Sequence, residues 1–379
     1  MKLNLRTRIA AISLALASGH AIADINVGVV FSLTGPAASL GAQTRKAIDL
    51  MPATLGGEKV NFIVLDDATD PTIAVQNARK LISEHKVDVI IGANLTSAGV
   101  AMSDVANSDK VSLLSMAPIE VSPEKRKWVF RVEPSADIMV GRAVADMKAK
   151  GINKVAFIGF SDSWGELLLN GLKKATKKHG LEIVATERYG RTDTSVMAQA
   201  LKVNMANPDA VFIGGSGTPA ALPQIALRDR GYKGAIYQSH AVTNKEFLRV
   251  GGKAVEGARL AVAPVLVAEQ LPYYHPNIKV ALDFVSRFEA KYPGESRSTF
   301  AGATWDSWLM LQGALTEALK IAKPGTAEFR EAVRDGMEKT KDLVGANGVY
   351  TMTAEDHGGY DPVGVVLVKV EDGRWVLEK

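Results

Sequence analysis

The sequence predicts an α/β fold of two parallel-sheet units in series, and three observations carry that prediction. Short apolar runs alternate with helical stretches of about 10–15 residues, the pattern of parallel strands with helices on both faces. The alternation starts at Ile25 and a second run of the same kind begins at Asp137. The chain has 379 residues and is 47% hydrophobic, enough for two cores.

Val87 to Ser103, VDVIIGANLTSAGVAMS, is the stretch around which the rest is organised. Val87, Val89, Ile90 and Ile91 read as a strand covered on both faces. Gly92 and Asn94 break the run, and Thr96 and Ser97 fall where a helix should begin. Two hydroxyls there serve as a helix cap or as donors, and the free N–H groups of a first helical turn favour an anion.

The other elements follow in order. Ile25 to Phe31 is a strand, Ser32 to Gly41 a turn-rich loop, and a helix runs on to about Met51. Val60 to Leu65 is a strand, and Pro71 to Glu84 a helix with proline in its first turn. Strands at Val111 to Ser115 and Trp128 to Val132 complete the first unit. The second has a helix from Asp137 to about Lys150, a strand Lys154 to Phe160, a turn through Trp164 and a helix Glu166 to Lys178. Strand Glu182 to Tyr189, helix Ser195 to Asn204, strand Ala210 to Ile213, helix Pro219 to Arg230 and strand Ala235 to Tyr237 continue it. Arg259 to Ala268 reads as a crossing back, followed by helices Ile278 to Tyr292 and Thr304 to Ala322. The end, Gly348 to Glu378, is strand-like, most clearly at Val363 to Val370.

Composition removes several function classes. There is no cysteine, hence no disulfide framework and no thiolate metal site. The formal charge of +4 leans on Lys2, Arg6 and Arg8; beyond residue 23 the chain is nearly neutral, which gives no argument for nucleic acid. Those three basic residues, the apolar run Ile9 to Ala17 and Ala21-Ile22-Ala23 have the form of a signal peptide cleaved after Ala23. The apolar run is far short of the ~20 residues that a span needs. An exported protein with no membrane insertion after cleavage is expected, in a bacterial periplasm.

Ligands of open α/β sheets bind beyond the carboxyl ends of strands. The turns there hold Thr96-Ser97, Ala117-Pro118-Ile119, Trp164-Gly165, Gly214-Gly215-Ser216-Gly217 and Ser239-His240. Enzyme motifs are wanting: Thr218 stands where a nucleophile elbow needs glycine, and no phosphate loop or paired-histidine helix occurs. Asp66, Asp67 and Asp70 cluster without the distal Glu of a calcium loop, so capping and turn roles are expected, with no metal and no cofactor.

SLTGPAASLG after the first strand, DDATDP at Asp66 to Pro71, IIGANLTSAGVAMSD at Ile90 to Asp104 and SWGE at Ser163 to Glu166, in this order, carry a resemblance. From Asp24 to its end the chain resembles the periplasmic solute-binding proteins of ABC importers for branched-chain amino acids. The resemblance implies two Rossmann-like lobes joined by three hinge strands and closing on a ligand. The lobes implied are 24–133 with 264–345 and 134–263 with 346–379, the crossings falling near Arg131 to Asp137, Leu260 to Pro264 and Val344 to Tyr350. It implies no enzyme activity, the permease subunits of an ABC transporter as partners, and a monomer.

The resemblance also implies site residues. The hydroxyl that holds a ligand carboxylate falls on Thr96, followed by Ser97, and the contacts after the fourth strand fall on Ala117, Pro118 and Ile119. There the chain departs from the pattern, since Ile119 has no hydroxyl and Pro118 no N–H. The aromatic wall falls on Trp164, the contact after the glycine pair on Ser216, and the acid that pairs with an α-ammonium on His240. The family's disulfide positions are Thr69 and Leu95, so that bridge is missing. Ser32 and Leu40 are expected to line the cleft. A buried ammonium without a carboxylate costs several kcal/mol. His240 therefore points to a small aromatic or hydrophobic carboxylic acid without an α-ammonium, as in the aromatic-acid-binding branch. The alternative is a branched-chain or other hydrophobic amino acid held by an acid elsewhere in the chain.

Overall fold

The computed structural model describes residues 24–295 and 297–378, so the expected leader and its cleavage site lie outside the described residues. Strands β1 (Ile25–Phe31), β2 (Thr54–Leu55), β3 (Glu58–Asp66), β4 (Val89–Gly92), β5 (Ser112–Ser115) and β6 (Val129–Arg131) form one sheet, in the order β2-β3-β1-β4-β5-β6. Its pairings are parallel except between β2 and β3. Strands β7 (Lys154–Phe160), β8 (Glu182–Tyr189), β9 (Ala210–Gly214), β10 (Ala235–Gln238) and β11 (Arg259–Val262) form the parallel part of a second sheet. A separate hairpin pairs β12 (Leu343–Val344) with β13 (Val349–Tyr350). Strands β14 (Val366–Glu371) and β15 (Arg374–Leu377) then extend the second sheet antiparallel, giving β15-β14-β11-β10-β9-β7-β8.

The two sheets repeat one topology. In each, the first strand lies between the next two parallel strands, β3-β1-β4 and β8-β7-β9. Winding reverses there, and the loops at the strand carboxyl ends part to leave a crevice. The strands read as apolar runs because both faces are covered. On β1, Ile25, Val27, Val29 and Phe31 pack with the helices of 278–338, whereas Val30 packs with the helix of 71–83. A Cβ at Gly28 would stand 2.9 Å from Leu81 Cδ1, so this helix lies close against the strand.

The chain passes between the layers three times, over 132–135, 263–277 and 351–365. Helices Ile278–Lys291, Thr299–Ala318 and Ala327–Glu338 thus return to the first sheet, and β14 and β15 to the second. Asp306 clamps the region, accepting N–H bonds from Ala346 at 2.6 Å and Asn347 at 2.8 Å. The Tyr350 hydroxyl lies 2.9 Å from Asp306 and 3.0 Å from the carbonyl of Val132, tying the first passage to the third.

Several element bounds differ from expectation for visible reasons. The expected turn at Trp164 is the first turn of helix Ser163–His179, because Asp162 caps it through Trp164 N at 3.0 Å and Gly165 N at 3.2 Å. The helix expected from Thr304 starts at Thr299, because the Ser298 hydroxyl accepts from Ala301 N at 3.1 Å. Helices Lys245–Gly251 and Ala327–Glu338 were not foreseen; Asn244 and Thr326 cap them. The strand expected from Val363 begins at Val366, after a short 3-10 turn capped by Asp361. Only Arg259–Val262 of the expected crossing Arg259 to Ala268 is strand; the rest is 3-10 helix opened by Pro264.

Candidate functional site

The carboxyl ends of the two sheets face one narrow cavity. The first lobe contributes Leu40, then Asn94, Leu95 and Thr96 after β4, Ala117 and Pro118 after β5, and Phe300 at the start of its helix. The second lobe contributes Trp164 after β7, Arg191 after β8, Ser216 after β9, and His240 and Ala241 after β10. Of the expected residues, Leu40, Thr96, Ala117, Pro118, Trp164, Ser216 and His240 are brought together here.

Three expected residues are not among those lining the cavity. Ser32 is fully buried, its hydroxyl donating to Asp67 Oδ1 at 2.6 Å and its N–H to Asn94 Oδ1 at 3.0 Å. Ser97 is one helical step past Thr96 and so turned about 100° from it. Ile119 packs into the core, where a Cβ on Gly99 would meet its Cγ2 at 2.9 Å. Thr96 corrects a further expectation: Leu95 holds the cap position, and the Thr96 hydroxyl donates to the Pro118 carbonyl at 3.1 Å. The N–H groups of 96–98 are left without intrahelical acceptors.

The polar wall of the cavity is made of donors. Because the Ser32 N–H fixes Asn94 Oδ1, the Asn94 amide is oriented, and its Nδ2 is buried with no hydrogen-bond partner among the described residues. Arg191 is held in place from three sides. Its Nε donates to Asp162 Oδ2 at 2.5 Å, its Nη1 donates to Ser216 Oγ at 2.8 Å, and its guanidinium lies 4.3 Å from the Phe160 ring. Asp162 thus caps a helix with one oxygen and aims Arg191 with the other. This corner depends on Gly165, since a Cβ there would sit 1.8 Å from the carbonyl oxygen of Phe160. No carboxylate is among the residues lining the cavity.

The apolar wall is largely aromatic. The Trp164 and His240 rings meet edge to face at 5.5 Å, and His240 stacks toward Phe300 at 6.2 Å. Trp164 Nε1 donates to the Gly215 carbonyl at 3.0 Å, which fixes the indole. Burial pushes the His240 imidazole down to about 4, so it is neutral at physiological pH. Behind it, 3.8 Å from Nε2, lies the fully buried Glu133; burial and then the nearby Asp306 hold its carboxyl well above the usual range.

The acidic cluster serves the loops. Asp70 caps helix Pro71–Ser83, Asp66 accepts from Leu33 N at 2.8 Å and the Thr34 hydroxyl at 2.6 Å, and Asp67 accepts from Ser32 and Thr69. No group of three or more His, Asp or Glu among the described residues is placed to hold a metal ion. No helix among them is long and apolar enough to cross a membrane.

Asn94, Leu95, Arg191, Ala241 and Phe300 escaped sequence reasoning. Arg191 had a usable signal: it lies just past strand Glu182 to Tyr189, and the rule applied to the other strand ends reaches it. Phe300 had none, because it comes from a helix far along the chain that begins five residues before the expected Thr304.

The model of a family described as periplasmic binding protein matches residues 24–374. A Leu/Ile/Val-binding protein homologue from Brucella melitensis is 27% identical over 94% of both chains. An extracellular ligand-binding receptor from Rhodopseudomonas palustris HaA2 is 45% identical, covering 94% of this chain and 100% of its own, with a TM-score of 0.89. The fold alone is shared with an ABC transporter solute-binding protein of R. palustris in complex with benzoate, 20% identical over 93% of this chain and 95% of its own, with a TM-score of 0.81. The chain belongs to the periplasmic binding protein family, with the two-lobed type I fold, and is a solute-binding protein and not an enzyme.

Proposed function

We propose that this protein is the periplasmic binding component of an ABC importer, and that it captures a small aromatic carboxylate with no α-ammonium. The observation that carries the reading is the sign of the cavity wall. Asn94 Nδ2, Arg191 and His240 offer donors, Trp164 and Phe300 offer flat apolar faces, and no carboxylate lines the space. An anionic oxygen finds charge-assisted partners there. An ammonium would find none, and burying it unpaired costs several kcal/mol.

One observation speaks for the alternative of a branched-chain or other hydrophobic amino acid. Glu133 is an acid 3.8 Å from His240, and the Brucella relative is named for Leu, Ile and Val. Against it, Glu133 is not among the residues lining the cavity, and burial raises its carboxyl well above the usual range, which disfavours the charged form an ammonium needs. That benzoate is seen in another protein of this fold supports the aromatic acid.

The reading extends to the whole chain: residues 1–23 act as a signal peptide cleaved after Ala23. The lobes are 24–133 with 264–350 and 134–263 with 351–379, the third boundary moving from the expected 345 because β13 precedes the last passage. Both present docking surface to the permease subunits, and the protein works as a monomer. A thermal-shift screen tests the ligand class, with benzoate, hydroxybenzoates and hydroxycinnamates beside leucine, isoleucine, valine and phenylalanine. A ligand at about 100 times its dissociation constant stabilises by roughly 2.7 kcal/mol. Shifts with the aromatic acids alone are expected, and shifts with the amino acids alone would refute the reading.

A further inference from the structure

His240 and Glu133 form an unfinished pair. His240 is 1% and Glu133 0% exposed, and His240 Nε2 lies 3.8 Å from Glu133 Oε2. Neither nitrogen of the imidazole and neither oxygen of the carboxyl has a hydrogen-bond partner among the described residues. Native interiors seldom leave buried polar atoms unmatched, and a base and an acid left open toward each other are the less expected for it. His240 is also part of the cavity wall, whereas Glu133 is not among the lining residues.

The surroundings leave the pair isolated. Toward Glu133 face the Asp306 carboxyl and the hydroxyls of Tyr350 and Tyr360. Arg131 is adjacent in sequence, but its Nε donates to the backbone carbonyl of Glu133 at 3.0 Å and its Nη1 to that of Ile119 at 3.3 Å. Against His240 pack Trp164 and Phe300, which do not titrate. Arg191 is the other ionisable residue among those lining the cavity, and it is paired with Asp162.

We propose that Glu133 is a positioning residue that hands its proton to His240 when an anionic oxygen enters the cavity, converting the imidazole into a charged donor. The inference rests on the aromatic-carboxylate reading above. The balance is internal. The O–H bond of Glu133 breaks, an N–H bond forms at His240 Nε2, and a carboxylate–imidazolium pair remains. Nδ1–H, on the other edge of the ring, then donates to the ligand oxygen as a charge-assisted bond. No proton comes from solvent. Burial disfavours the charged form of each group, raising the Glu133 carboxyl well above its usual range and lowering the His240 imidazole, and an uncharged pair is the starting state the transfer needs. The ligand's negative charge is what makes the separated state favourable.

The test uses the full chain with benzoate and trans-cinnamate as probes. Proton transfer within the protein leaves wild-type affinity flat from about pH 6 to about pH 8. In Glu133→Gln the proton must come from solvent, so affinity falls about tenfold for each pH unit of rise. A purely structural role for Glu133 would weaken binding equally at every pH. Nitrogen-15 NMR of histidine-labelled wild type gives a second readout that does not depend on the variant folding: His240 is neutral when empty and carries protons on both nitrogens when a probe is bound. A neutral His240 in the complex, or equal pH slopes in the two proteins, overturns the proposal. If neither probe binds wild type at any pH, the aromatic-carboxylate reading falls, and this inference with it.

Discussion

Arg191→Met tests the anion site most sharply. In the wild type the guanidinium is already oriented by Asp162 and Ser216, which leaves Nη2 for a ligand oxygen. A hydrogen bond to a charged partner contributes about 1.5–3 kcal/mol. Its loss should therefore raise Kd for an aromatic carboxylate between about tenfold and about 150-fold. Methionine keeps the apolar stem near the Phe160 ring, and Asp162 Oδ1 keeps capping helix Ser163–His179, so the fold is retained. Isothermal titration with benzoate and with benzamide separates charge from shape. Wild type should prefer benzoate, and the variant should bind the two alike. A Kd for benzoate within about threefold of wild type, with the preference intact, would refute the assignment of Arg191 to the ligand.

Further predictions concern the walls and the frame. Trp164→Phe keeps a ring at the cavity and removes the donor to Gly215, which the Ser239 hydroxyl still satisfies at 2.6 Å. It should cost about 1 kcal/mol in thermal unfolding while changing Kd only a few-fold. Ser298→Ala removes the cap of helix Thr299–Ala318 and should lower the urea midpoint by the equivalent of about 1 kcal/mol with an unchanged m-value. His240 is neutral in the fold down to about 4, whereas the unfolded chain binds a proton below about 6.5. At this residue the unfolded state therefore holds more protons in that window, and His240 alone contributes a climb of roughly 3 kcal/mol between about pH 4 and about pH 6.5, opposed in the wild type by the raised carboxyls of Glu133 and Asp306. His240→Gln should remove that climb, seen as the difference between the two proteins' unfolding free energies across the window.

Much of the fold was legible because its strands are covered on both faces. INVGVVF, VNFIVL and KVAFIGF appear in sequence as near-continuous apolar runs, and each is a parallel strand. Helix Ala327–Glu338 was harder to read. Its apolar residues Phe329, Ala332, Val333 and Met337 stand at helical spacing behind the cap Thr326, a signal that short, highly charged segments carry only faintly. The site was legible wherever a residue follows a strand directly, as Thr96, Trp164, Ser216 and His240 do. It was not legible where function depends on a partner's orientation. Nothing in the sequence tells that Ser32 turns the Asn94 amide, or that the Thr96 hydroxyl is taken by the Pro118 carbonyl. Glu133 lies in the first passage between lobes, apart from any strand-end turn, so its place behind His240 emerges only in three dimensions.

A crystal structure of the protein with trans-cinnamate tests the central claim most directly. The account predicts the ligand between the lobes, its ring against Trp164 and Phe300, and its carboxylate hydrogen-bonded to Arg191, Asn94 or His240. Electron density for the acid outside this cavity, or a carboxylate turned away from all three donors, would contradict it.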